Sequence, residues 1–236
     1  METLVRDFLI ASGAVALGSY FYFLQKKSTK QDPFITVEVL APEDFKKVCR
    51  EIRRIYSSKY WPAYNTCREE RRKFPSKTIE YENIVISFNN KNKNLIEETR
   101  STVLRKYWVS EKVFEDSVNY YDSDNELREY AENLVTPLYN DDHSSSLTRE
   151  QTIEILNYFN ERYQEFHDII EINDYTVLIK RLEDEVFEKF KVEMDQVNSA
   201  YEKFKDAQLE EIVEPMKCHT SYILASADDS FEFYNT

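Results

Sequence analysis

The chain has 236 residues, 42% of them hydrophobic and 32% charged, with 31 Lys and Arg against 44 Asp and Glu. That suffices for one ordinary domain, or for one elongated helical assembly with an anchor, and the charge excess suits exposed helices better than a deep core. Glycine occurs only as Gly13 and Gly18, which excludes a Walker phosphate loop, a dinucleotide fingerprint, a nucleophile elbow and a standard EF-hand, since each needs glycine where backbone turns sharply or meets its ligand.

Phe8 to Leu24 carries no charge. Seventeen residues make a helix of about 25 Å, at the lower limit for a bilayer core, and Leu4, Val5 and Gln25 extend it. Tyr20 and Tyr22 suit the interfacial belt, and Lys26, Lys27 and Lys30 follow at once, the composition of a retained transmembrane anchor facing anionic headgroups. Cleavage after Ala14-Val15-Ala16 would leave an apolar core of only about six residues, too short for a signal peptide. Ser12 and Ala16, like Ala14 and Gly18, stand four apart and give the anchor a face of small side chains for a second membrane helix. The lysines direct the C-terminal part to the cytosol, or to the matrix of the inner mitochondrial membrane.

Asp32-Pro33 ends the anchor, and Phe34 to Val39 reads as an extended connector. Pro42, Glu43 and Asp44 open an amphipathic helix with Phe45, Val48, Cys49, Ile52, Ile55 and Tyr56 on one face. Proline in Tyr60-Trp61-Pro62-Ala63-Tyr64 is expected to end it, leaving Tyr60, Trp61 and Tyr64 as a candidate partner contact or a packed corner. Residues 67–74 then form a short charged helix before Pro75, and residues 76–109 a helix interrupted by the polar run Asn89 to Asn94. Ser110 and Asp124 read as helix caps. Asp122 to Glu126 starts like a calcium loop, but Leu127 stands where glycine is needed and Asn133 where a glutamate is needed.

Asn140 to Ser146 is a polar loop. Thr148 and Gln151 have capping-box spacing, and a first helix carries Ile153, Leu156, Phe159, Tyr163, Phe166 and Ile170. After Asn173-Asp174, which reads as a tight turn or an irregularity, a second stripe comprises Leu178, Leu182, Val186, Phe190, Met194, Val197, Tyr201 and Phe204, whose steps of about 3.7 residues predict one helix of some 35 residues packed through this face. Pro215 marks its end.

The fold expected is all-α: a single N-terminal transmembrane helix followed by an elongated helical domain with a long C-terminal helical hairpin. Its parts are an anchor (1–27), a basic to mixed membrane-proximal region (28–139), a loop (140–147), long acidic amphipathic helices (148–214) and a tail (215–236). Charge follows this order: residues 1–110 hold 20 Lys and Arg against 13 acids, and residues 111–236 hold 11 against 31, so nucleic acid is not an expected partner.

The three cysteines and three histidines show no CxxC, HExxH or ExxH spacing, so no metal, cofactor or catalytic site is expected. The functional expectation is a non-catalytic accessory or scaffold subunit of a membrane complex, in contact with lipid and other subunits, in a respiratory-chain or ATP synthase assembly of the mitochondrial inner membrane. The alternatives are a cytosol-facing adaptor or tether on the mitochondrial outer membrane or endoplasmic reticulum, and an enzyme whose site the sequence does not display.

Overall fold

A computed structural model of the chain describes residues 38–135, 137–138, 146–165 and 172–215. All regular structure among them is helical: α1 (Pro42–Arg71), α2 (Ile79–Lys106), α3 (Glu111–Tyr120), α4 (Asn125–Glu132), α5 (Arg149–Gln164), α6 (Ile172–Phe190) and α7 (Met194–Phe204), then a last helix over residues 207–215. None of these helices is long and apolar enough to cross a membrane. The uncharged run Phe8 to Leu24, the connector as far as Val37, Phe166 to Ile170 and the tail from Met216 lie outside the described residues.

The chain divides into two compact units, whose described residues fall within 38–66 with 88–138, and within 67–87 with 146–215. In the first, residues of α1 and α2 pack with α3 and α4. Phe45 on α1 stacks on Phe114 of α3 (5.9 Å) and meets Tyr121 (5.1 Å). The incoming backbone at Leu40 is fixed from both sides: its N–H donates to Ser117 Oγ (2.8 Å), and Tyr121 OH donates to its carbonyl (2.6 Å).

Two expectations for this region are corrected. Helix α1 does not end at Tyr60 to Tyr64 but runs through Pro62 for 30 residues. Proline removes a helical donor and crowds the preceding turn, which usually costs a helix about 3 kcal/mol. Here Tyr56, Tyr60 and Tyr64 are buried on both sides of it, and burying an aromatic ring contributes about 1.5–3 kcal/mol each. Packing therefore outweighs the local penalty. Helix α2 likewise passes uninterrupted through Asn89 to Asn94, because Asn92 is buried and its Oδ1 accepts from Tyr56 OH (3.0 Å).

Local caps behave as the sequence dictates. Ser110 Oγ accepts from Val113 N, Asp124 Oδ1 accepts from Glu126 N and Leu127 N, and Thr148 and Gln151 form a reciprocal capping box. Two helix ends are unusual. Helix α2 closes in a Schellman motif, with Val109 N donating to Leu104 O (3.0 Å) and Trp108 N to Arg105 O (3.2 Å), and α6 closes with Lys191 N donating to Phe187 O (2.9 Å). Left-handed residues occupy both ends, Trp108 at φ 58° and Lys191 at φ 59°, where glycine is usual.

In the second unit α5, α6, α7 and residues 207–215 enclose one apolar core. The predicted 35-residue helix is broken at residues 191–193, between α6 and α7, and again at 205–206. A hairpin of two long helices is therefore replaced by a bundle of shorter ones. The apolar stripe misleads because its period continues across the break: Phe190 and Met194 both pack on this core. Nor is Asn173-Asp174 a turn; it lies in the first turn of α6.

Candidate functional site

Helix α6 is buried almost all round. Tyr175, Leu178, Leu182 and Val186 face the apolar core, whereas Val177 packs with Tyr81 and Val85 of α2. Also buried are Lys180, Glu183 and Asp184, whose spacing of three and four residues puts them on one stripe. They meet the end of α1. Arg71, with 0% exposure, donates to Asp184 from Nε (2.8 Å) and Nη2 (3.0 Å), and from Nη2 also to Glu183 (3.2 Å). Arg72 donates from Nε to Asp184 Oδ1 (2.7 Å), and its two terminal nitrogens reach Glu193 (2.7 and 2.8 Å). Tyr81 OH adds a fourth donor group to Asp184 (2.8 Å), and Lys180 Nζ donates to both oxygens of Glu183 (3.0 and 3.1 Å). At the margin Arg68 stands 3.2 Å from Glu193 and 3.9 Å from Asp195.

Four cations (Arg68, Arg71, Arg72, Lys180) thus face four carboxylates (Glu183, Asp184, Glu193, Asp195), with Arg71, Lys180, Glu183, Asp184 and Asp195 buried and Arg68, Arg72 and Glu193 partly exposed at the margin. Isolated burial of any one would be prohibitive, so the arrangement persists only as a balanced set. Burial pushes the Asp184 carboxyl up, but Arg71, Arg72 and Tyr81 more than offset this and hold it below the usual range. Desolvation dominates at Lys180: despite Glu183, and with Arg71 nearby, its ammonium is pushed down to about 8. Burial also pushes up the Cys67 thiol against the opposing pull of Arg71 and Lys180, so it stays protonated and a poor nucleophile at neutral pH. The network fixes helices in place.

Of residues 180–185 only Leu182 was expected to pack, and the charged cluster was missed. A signal was present: Tyr175, Val177, Leu178, Ile179, Leu182 and Val186 cover more than half the helix circumference, the mark of a helix buried on several sides.

The stripe Leu182, Val186, Phe190, Met194, Val197 and Tyr201 is placed together in the apolar core, with Phe190 partly buried. Tyr60 and Tyr64 stack at 5.6 Å and bury themselves against Phe88 of their own unit, while half-buried Trp61 donates from Nε1 to Leu138 O (2.6 Å). This aromatic surface is used within the chain. Ser12, Ala14, Ala16, Gly18, Tyr20, Tyr22, Lys26, Lys27 and Lys30 lie outside the described residues. Among the described residues no group of three or more His, Cys, Asp or Glu side chains is arranged to hold a metal ion. No family model, curated protein or solved structure matches the chain.

Proposed function

We propose that the chain is a non-catalytic, membrane-anchored accessory or scaffold subunit of a larger membrane complex. The observation that carries this reading is the uncharged run Phe8 to Leu24 followed by Lys26, Lys27 and Lys30, whose composition suits hydrocarbon bordered by anionic headgroups. The helical body supports it: buried ionisable groups around Asp184 are neutralised by fixed partners, a use that sets shape, as a scaffold requires. The mitochondrial inner membrane, in a respiratory-chain or ATP synthase assembly, is the home we assign by analogy with small single-span helical subunits.

Replacing Val15 with Arg tests the anchor, because a charge at the centre of a span costs about 2.5–3.5 kcal/mol on insertion scales. The wild type is expected to remain in membranes through alkaline carbonate extraction and the variant to be released. Release of the wild type ends the proposal. Native separation in detergent then tests the assembly: migration with a much larger complex is expected, and a small free species favours the adaptor reading instead.

A further inference from the structure

Trp108 at the end of α2 is 95% exposed. It holds a left-handed backbone position (φ 58°) that disfavours any side chain with a Cβ, so the Schellman turn keeps a bulky indole where glycine would be easier. Its surroundings are basic. Arg105, Lys106 and Lys112 are exposed beside it in the chain, and from α1 Lys47 Nζ lies 5.2 Å from the centre of the neighbouring Tyr107 ring, with Lys106 Nζ at 5.4 Å. Two carboxylates of this region are engaged: Glu51 receives Arg54 (2.8 Å) and Lys106 (2.8 Å), which shares Lys106 between Glu51 and solvent, and Glu111 receives Arg100 (3.0 Å). On a chain of net charge −13, this local excess of cations around an unpacked indole runs against the overall balance.

The geometry points to Trp108 and its collar of Lys47, Arg105, Lys106 and Lys112 as a second membrane contact, in which the indole enters the headgroup layer of an anionic bilayer and the cations meet the lipid phosphates. Indole is apolar in body with one polar N–H, the chemistry that favours a membrane–water boundary, and each nearby Lys or Arg adds attraction to an anionic leaflet. A lipid surface fits better than a peptide, because a ring left 95% open to solvent offers no groove in which a partner side chain would be held. The inference rests on the chain being membrane-bound, and adds which face of the first unit lies on the lipid.

The chain has two tryptophans, so Trp61→Phe in the full-length protein isolates the emission of Trp108. Should that variant fail to fold, the difference between wild type and Trp108→Phe reports the same ring. Phosphatidylcholine vesicles with and without phosphatidylserine, carrying brominated acyl chains, are the probe. Blue-shifted, bromine-quenched emission is expected only with phosphatidylserine. In a Val15→Arg background, where binding no longer depends on the anchor, Lys106→Glu and Lys112→Glu are each expected to weaken vesicle binding by roughly fivefold or more. Unshifted, unquenched emission from chains that co-sediment with the vesicles overturns this inference and leaves the anchor standing, whereas quenching of carbonate-extractable chains sinks the anchor and keeps the contact. Equal quenching by neutral vesicles overturns the role of charge. A blue shift that grows with protein concentration in vesicle-free buffer assigns the patch to a second copy and overturns the lipid.

Discussion

The two faces of α6 are buried to a similar degree and held by opposite physics. On one, Leu178, Leu182 and Val186 enter an apolar core, where each side chain gains about 1.5–3 kcal/mol on leaving water and accepts many neighbours of similar size. On the other, Lys180, Glu183 and Asp184 lose hydration, and recover it only if Arg71, Arg72 and Tyr81 arrive in the observed geometry. The first face stabilises broadly. The second discriminates, because a shifted helix register would strand a charge in the interior.

The largest test of that difference is Arg71→Met, which takes from Asp184 its bidentate partner and from Glu183 one of its cations. A loss of about 3–5 kcal/mol is expected, read as a fall in the urea midpoint. Adding Asp184→Leu to the same chain should recover much of it, since Lys180 still neutralises Glu183 and Glu193 still holds Arg72, and removing both partners of a buried pair is nearly neutral where removing one is not. If the double variant is as unstable as the single one, the charges contribute more than mutual neutralisation.

Leu182→Ala probes the apolar face. A loss of about 2–4 kcal/mol is expected from lost transfer energy and a partly collapsed cavity, with no companion substitution able to rescue it by restoring charge. A double-mutant cycle with Arg71→Met should be close to additive if the two faces act separately.

The smallest effect is the pH dependence. Lys180 is pushed from its ordinary 10.5 down to about 8 in the folded chain, so between those values the unfolded chain binds the extra proton and stability rises with pH. Buried Cys49 and Cys67 act oppositely: with folded values raised above their ordinary 9.0, they contribute stability below that pH that is lost as pH climbs past it. The net gain is therefore expected from about pH 8 to 9, and Lys180→Met should abolish it in melts at fixed ionic strength. On the acid side Asp184, held below its ordinary 3.8, contributes stability that disappears as pH falls through its folded value. An unchanged alkaline slope in Lys180→Met would falsify the assignment to Lys180.

What was legible in the sequence was local. Ser110, Asp124 and the Thr148–Gln151 pair cap helices through neighbours two or three residues away, and an apolar stripe such as Leu182 to Tyr201 reports its buried face regardless of partner. The errors arose where distant contacts overrule local preference. Pro62 ought to end α1, yet tyrosines on either side keep the helix intact, and Asn92 ought to favour solvent, yet it binds Tyr56. The break at Lys191 was hidden by the absence of any glycine after Gly18, which removed the usual sign of a left-handed helix end. The charge network was illegible for a further reason: Arg71 and Asp184 are 113 positions apart, and periodicity carries no information about pairs at that distance.

That separation bears on how the protein is made. The segment from Cys67 to Ser87 belongs to a unit whose remaining described residues begin only at Ser146, and Arg72 meets Glu193 across 121 positions. During synthesis the arginines leave the ribosome long before any of their carboxylate partners exist. Closing so long a loop slows folding, so this unit is completed only once Glu193 has emerged, and until then its early portion waits with three clustered arginines and Tyr81 unsatisfied, the state in which a holding chaperone has most to bind.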